Sequence, residues 1–398
     1  MTKLINLTVF REFLRSGSAG GVLLLLCVVI SLIIANSPLG SGFEQLLATQ
    51  IGFQSGGIML EYSVLSWIND GLMAVFFLMV GLEIKRELVE GELSSLQKAA
   101  LPVFAALGGV VIPMLIYRFF NDGTHTEAGW GIPMATDIAF ALAIITMLGD
   151  KVPASLKIFL AALAIVDDLI AILVIAVFYS TELHLTYLLY AGGLFGLMLA
   201  FNKFGLKNLA FYLIPGAFIW YFIHHSGIHA TIAGVLTAFT LPTTPDEKES
   251  PLEKLEHMLL KPVNFFIMPV FALVNTNILF ESGMVEGLTT PLGLGIILGL
   301  FVGKPIGITL FSWISVKLGV CKMPSNAQWK HIFGVGILGG IGFTMSIFIA
   351  ILSFSGEHLI MSEAKFSIMI GSLVSGLVGF VLLTKMAVRS NKSEVVDE

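Results

Sequence analysis

Apolar runs long enough to cross a bilayer recur along this 398-residue chain, and no other feature limits its fold so severely. They fall near residues 17–36, 63–84, 100–118, 128–148, 157–178, 184–202, 208–223, 226–241, 262–280, 290–312, 331–353 and 365–384. A helix needs about 20 predominantly apolar residues to span the hydrocarbon. The runs are continuous and show no two-residue alternation, so they are helices and not the strands of a membrane barrel. Only 12% of the residues are charged, about half the share usual in soluble chains. Lipid must therefore cover side chains that no aqueous fold has room to hide. This excludes a soluble enzyme, a nucleic-acid binder and a disordered chain. The basic residues are scattered and the net charge is −5, which offers nucleic acid no basic patch. Two cysteines, one in a run and one in a polar connection, supply no disulfide framework.

The loops fix the expected orientation. With the N-terminus in the cytoplasm and twelve crossings, 19 of the 22 lysines and arginines fall on the cytoplasmic side. Arg118 and Lys365 fall outside, and Lys304 lies within a run. A wrong helix count before the middle of the chain would flip the later loops and ruin that split. The expectation is thus a single transmembrane domain, 1–398, all-α and polytopic, with both termini cytoplasmic. Segment 37–62 is an external loop, either a small hairpin suited to contact between two copies or an ordinary connection. Segment 242–261 is a charged cytoplasmic connection, in which Pro251 and LEKLEHMLL predict a short helix at the membrane face.

Ionisable residues inside the runs carry the chemistry, because each is costly there. Asp137 follows Pro133 and Thr136; the proline either interrupts its span or merely kinks it. Asp167 and Asp168 sit mid-run in LAIVDDLIAI. Adjacent carboxylates in a low dielectric hold protons tightly, and a small cation that replaces those protons turns binding into exchange. Lys304 has these aspartates as its candidate partners, in a pair that either opens on cation binding or serves only the fold. Gly295, Gly299, Gly303 and Gly307 give its helix one small-residue face, expected to admit a helix bearing the aspartates. Gly334, Gly336, Gly339, Gly340 and Gly342 predict a second unwound span. One broken helix in each half is the pattern of inverted-topology repeats. Near the membrane edges, Glu83, Lys85, Arg86 and Glu87 read as salt bridges on a solvated helix end, and His229 as either a titrating group or a packed one. No His/Cys spacing indicates a transition-metal centre.

The phrases FFLMVGLEIKREL, ATDIAFALAI, LAIVDDLIAI, SGIHATIAGVL, GKPIGI and GGIGFTMSIFIA occur in this order. Together they resemble the NhaA family of bacterial sodium/proton antiporters over essentially the whole chain. The resemblance implies twelve transmembrane helices with two interrupted, crossing helices, in the bacterial inner membrane. It implies alternating-access, electrogenic export of Na⁺ or Li⁺ against external H⁺, without a cofactor, in the service of pH and sodium homeostasis. Asp168 is then the principal carboxylate, with Asp167 and Thr136 beside the ion and Asp167 the partner of Lys304. Asp137 compensates helix-end dipoles. Glu83, Lys85, Glu87, Glu256 and His257, together with His229, are implied in the response to pH. The partners implied are lipid and a second copy of the chain meeting at the external hairpin. A cation channel or an ion-regulated membrane sensor is the competing reading of the same buried charges.

Overall fold

The computed structural model describes residues 7–55, 58–180, 183–243, 250–280 and 283–386. Eight helices among them are long and apolar enough to cross a membrane: Val64–Val89, Leu96–Asn121, Glu127–Met147, Ala154–Phe178, Leu185–Lys203, Pro251–Asn275, Pro291–Lys317 and His358–Lys385. Two bent pairs, Ala19–Ala35 with Gly40–Ala48 and Trp329–Gly339 with Phe343–Ser353, raise the number to ten. The remaining two apolar runs form Ala210–His224 and Ile232–Thr240, of 15 and 9 residues. At about 1.5 Å per residue neither crosses about 30 Å of hydrocarbon alone. Among the described residues, length and composition alone account for eight to ten crossings of an all-α polytopic fold.

One place departs from the sequence reading and a second adds a helix to it. Pro251–Pro262 is not a separate short helix but runs on as part of one long helix, Pro251–Asn275. Ser250 and Glu253 form a capping box at its start. Pro262 does not end the helix, because a π-helical turn at Val263–Ile267 follows it and leads into Met268–Asn275. A wide turn of this kind re-routes the hydrogen bonds around a missing N–H. Residues 244–249 of the charged connection lie outside the described residues. Segment 37–62 contains a helix, Gly40–Ala48, before two short antiparallel pairings, Gln50–Ile51 with Tyr62–Ser63 and Gln54–Ser55 with Ile58–Met59.

The packing falls into two clusters. The larger apolar core runs through Leu96–Asn121, Ala154–Phe178 and the two interrupted spans. A smaller one is built by Leu185–Lys203, Ala210–His224 and Ile232–Thr240 against one face of Val64–Val89. The most extensive helix contact joins Leu96–Asn121 to the last half of Pro291–Lys317. It is a backbone contact: a methyl group on Gly108 or Gly307 would run into the other's carbonyl. The glycine face therefore serves close approach, but mainly toward Leu96–Asn121 and not toward an aspartate-bearing helix; only Gly299 meets Pro133.

Candidate ion-exchange site

Pro133 interrupts its span. Glu127–Met134 winds as a tight 3₁₀ helix, residues 135–137 are extended, and a regular helix resumes at Ile138–Met147. The second break falls at 340–342, between Trp329–Gly339 and Phe343–Ser353, which are bent by 48°. Gly334 and Gly336 remain helical, so the unwound stretch is shorter than the run of glycines.

Broken helices leave N–H and C=O groups unpaired at membrane depth, and these must be satisfied locally. The two breaks satisfy one another. Asp137 N–H donates to Ile341 O at 2.6 Å, and Ser346 Oγ donates to Ile132 O at 2.7 Å. Asp137 Oδ1 accepts from Phe140 N–H at 3.1 Å, capping its own helix. Its Oδ2 accepts from Thr344 N–H at 3.0 Å and Thr344 Oγ1 at 2.5 Å, at the start of the opposite one. One carboxylate thus faces the positive ends of two half-helices. Ser372 Oγ accepts the preceding N–H, that of Phe343, at 3.1 Å. Nothing near Asp137 in the chain announces Thr344 or Ser372, which lie over 200 residues away.

Beside the crossing, Ala154–Phe178 carries Asp167 and Asp168 at its middle, 1% and 2% exposed. Lys304 is fully buried, and its Nζ lies 2.5 Å from Asp167 Oδ2 and 2.9 Å from Thr136 Oγ1. A π-helical turn, Gly299–Gly303, delivers the lysine to this position. Thr136 has one hydroxyl proton for two acceptors, Asp167 Oδ2 at 2.6 Å and Gly339 O at 2.9 Å. The ammonium, Thr136 and Asp167 thus form one buried, hydrogen-bonded cluster. Asp168 Oδ1 and Asp167 Oδ1 are buried and accept no hydrogen bond. Burying such oxygens without a partner is costly, so each retains the capacity to take a proton or a cation. The charged groups that bear on Asp168 are Asp167, Glu83, Asp137 and Lys304.

A second cluster gathers at the far end of Val64–Val89. Arg86 Nε reaches both oxygens of Glu256, at 3.1 and 3.0 Å, while its Nη1 holds Glu87 at 2.8 Å. Glu87 Oε2 accepts from Glu92 N–H at 2.8 Å. Lys85 caps the end of Ile232–Thr240, donating to Phe239 O at 2.7 Å and Leu241 O at 2.5 Å. Glu83 is buried on the same helix, and His257 follows Glu256. The sequence reading treats Arg86 as one surface charge among four; here it is the hub, a role fixed by Glu256, 170 residues away. His229 does not join this cluster. Its Nε2 lies 3.3 Å from Asp70 Oδ1, and its Nδ1 is 2.8 Å from Thr231 Oγ1.

Carboxylates and an ammonium buried where two interrupted spans meet define a secondary ion transporter. Residues 11–383 match the family described as Na⁺/H⁺ antiporter 1, and the chain belongs to that family. It is 65% identical to the Na⁺/H⁺ antiporter NhaA 2 of Flavobacterium johnsoniae, over 99% of this chain and 96% of that one. It is 50% identical to the Na⁺/H⁺ antiporter NhaA of Flavobacterium psychrophilum, over 94% and 95%. The solved structure of the sodium proton antiporter MjNhaP1 from Methanocaldococcus jannaschii shares the fold, with a TM-score of 0.54. That likeness covers 96% of this chain and 97% of the other at 14% identity.

Proposed function

We propose that this chain is an electrogenic Na⁺(Li⁺)/H⁺ antiporter that exports the alkali cation in exchange for external protons. Twelve membrane segments, both termini cytoplasmic and a bacterial inner-membrane setting complete the reading, supported by the loop charges and by the relatives' names. The observation that carries it is Asp168: a mid-span carboxylate with an unpartnered oxygen, next to a second carboxylate already holding a cation. Deprotonated Asp168 and Asp167, with Thr136, bind dehydrated Na⁺ from the cytoplasmic side. Lys304 gives up Asp167 to the ion, since one carboxylate oxygen cannot serve both at full strength. The loaded site then turns outward, where protons displace the cation. More than one proton per Na⁺ moves net charge, so the membrane potential drives export. Asp137 holds the crossing together by facing both helix ends. Glu83, Lys85, Glu87, Glu256, His257 and His229 tune the response to pH, and two copies meet through segment 37–62.

Proteoliposomes test the reading. An imposed Na⁺ gradient drives proton movement in the native chain, and Asp168→Asn abolishes that coupling while the protein stays folded by its melting curve. Normal Na⁺-driven proton flux in Asp168→Asn overturns the assignment of the carboxylate. Saturation-free Na⁺ current with no proton coupling identifies a channel instead.

A further inference from the structure

The smaller helix cluster borders an open cavity of about 670 Å³ between Val64–Val89, Ala210–His224 and Ile232–Thr240. It plays no part in the exchange site. Its walls are apolar, formed by residues such as Leu78, Ala217 and Phe266, with Thr237 the polar exception. The Thr237 hydroxyl is already spent, donating to Ala233 O at 2.8 Å. Water needs two to four polar partners to stay in such a space, and these walls offer none. Apolar cavities of only about 150 Å³ remain dry and take up hydrocarbon.

The surroundings say which hydrocarbon. Ala217 and Phe266 are exposed at the mouth, and Ile214 and Phe218 lie exposed on the same helix as Ala217. In a membrane-spanning chain, a mouth flanked by exposed apolar side chains opens to lipid. At the end nearest the hairpin the wall is made by Trp67 and Trp220, stacked with centroids 5.7 Å apart. Both indole N–H groups are tied to backbone, Trp67 to Ile51 O at 2.9 Å and Trp220 to Asp70 O at 3.1 Å. Paired tryptophans with an apolar body and a bonded polar edge mark the depth of the lipid headgroups. The cavity thus begins just below headgroup level and runs toward the bilayer centre.

We propose that this cavity is a lipid site, holding one acyl chain of a phospholipid from the leaflet on the hairpin side. The chain fills the gap between Val64–Val89 and the two short helices, so that this part of the bundle is completed by lipid.

The test uses a variant whose only tryptophans are Trp67 and Trp220, with Trp130, Trp313 and Trp329 replaced by Phe. It is purified in a maltoside detergent, which strips loosely bound lipid. Phosphatidylethanolamine brominated at mid-chain is then added in steps. Indole emission falls and saturates at one lipid per chain. Ala217→Phe and, independently, Val75→Phe fill the space and remove the saturable loss. Either variant alone decides the matter if the other fails to fold. Unsaturable quenching, or quenching that both folded fillings leave unchanged, overturns the proposal. So does quenching that appears only after a dimer is dissociated, which would make a second copy the occupant.

Discussion

The Lys304–Asp167 pair and the Arg86–Glu256 pair join the same kinds of charge and do opposite things with them. The first has both side chains fully shielded, and a neighbouring carboxylate oxygen beside it accepts no hydrogen bond. The second is 24% and 9% exposed, and its guanidinium divides itself between two carboxylates, one of which also accepts a backbone N–H. An exchange site must carry a deficit that an incoming ion removes. A cluster whose acceptors are already supplied can respond to charge without binding cargo. A third group, Arg118 with Asp122 and Glu127, is 45–69% exposed and marks the solvated limit.

Removing the cation from each pair in turn breaks or sharpens this contrast. Lys304→Met has the largest effect: leaving a charge unpaired in a dry interior costs about 3–5 kcal/mol. The loss appears as a lower melting temperature at neutral pH, and adding Asp167→Asn recovers much of it. If the double variant is no more stable than the single one, the pair is not what balances the core. Arg86→Gln costs less, about 2 kcal/mol, the worth of hydrogen bonds to charged groups. With that positive charge gone, Glu87 and Glu256 lose their shared partner and the cluster is left with an excess of negative charge. The pH profile of Na⁺-driven proton flux therefore moves to the alkaline side, while the saturating rate persists. An unmoved profile would separate this cluster from pH control. Ser372→Ala removes one neutral acceptor from Phe343 N–H and costs about 1 kcal/mol. It raises the apparent KM for Na⁺ modestly, and Ser372→Thr restores it. Arg118→Gln changes stability by less than about 1 kcal/mol in either direction; a larger loss would show that exposure does not grade these pairs.

The residues that declare themselves in the sequence are those that violate a local rule. Asp167, Asp168 and Lys304 interrupt hydrophobic runs, and Pro133 denies a helix one of its N–H groups. Such violations are visible within a window of a few residues. The choice of partners is not. Asp137 meets Thr344, Arg86 meets Glu256, and the glycine face around Lys304 meets Leu96–Asn121, all across large separations in the chain. Nothing in the local pattern selects these neighbours. The continuation of Pro251–Asn275 through Pro262 was illegible for another reason. A wide turn restores the ladder around a proline, and its composition resembles that of any other apolar turn.

The touching backbones of Gly108 and Gly307 have a kinetic consequence. Lys304 lies one turn away on a helix that meets Leu96–Asn121 backbone to backbone at this point, which leaves that helix little room to slide. On the proposed exchange, the ammonium would leave Asp167 by rotating its own four-carbon arm, a local event that does not wait for the collective helix movement. Charge is then expected to redistribute before the bundle rearranges. In stopped-flow measurements, proton release on mixing with Na⁺ precedes turnover as a separate fast phase.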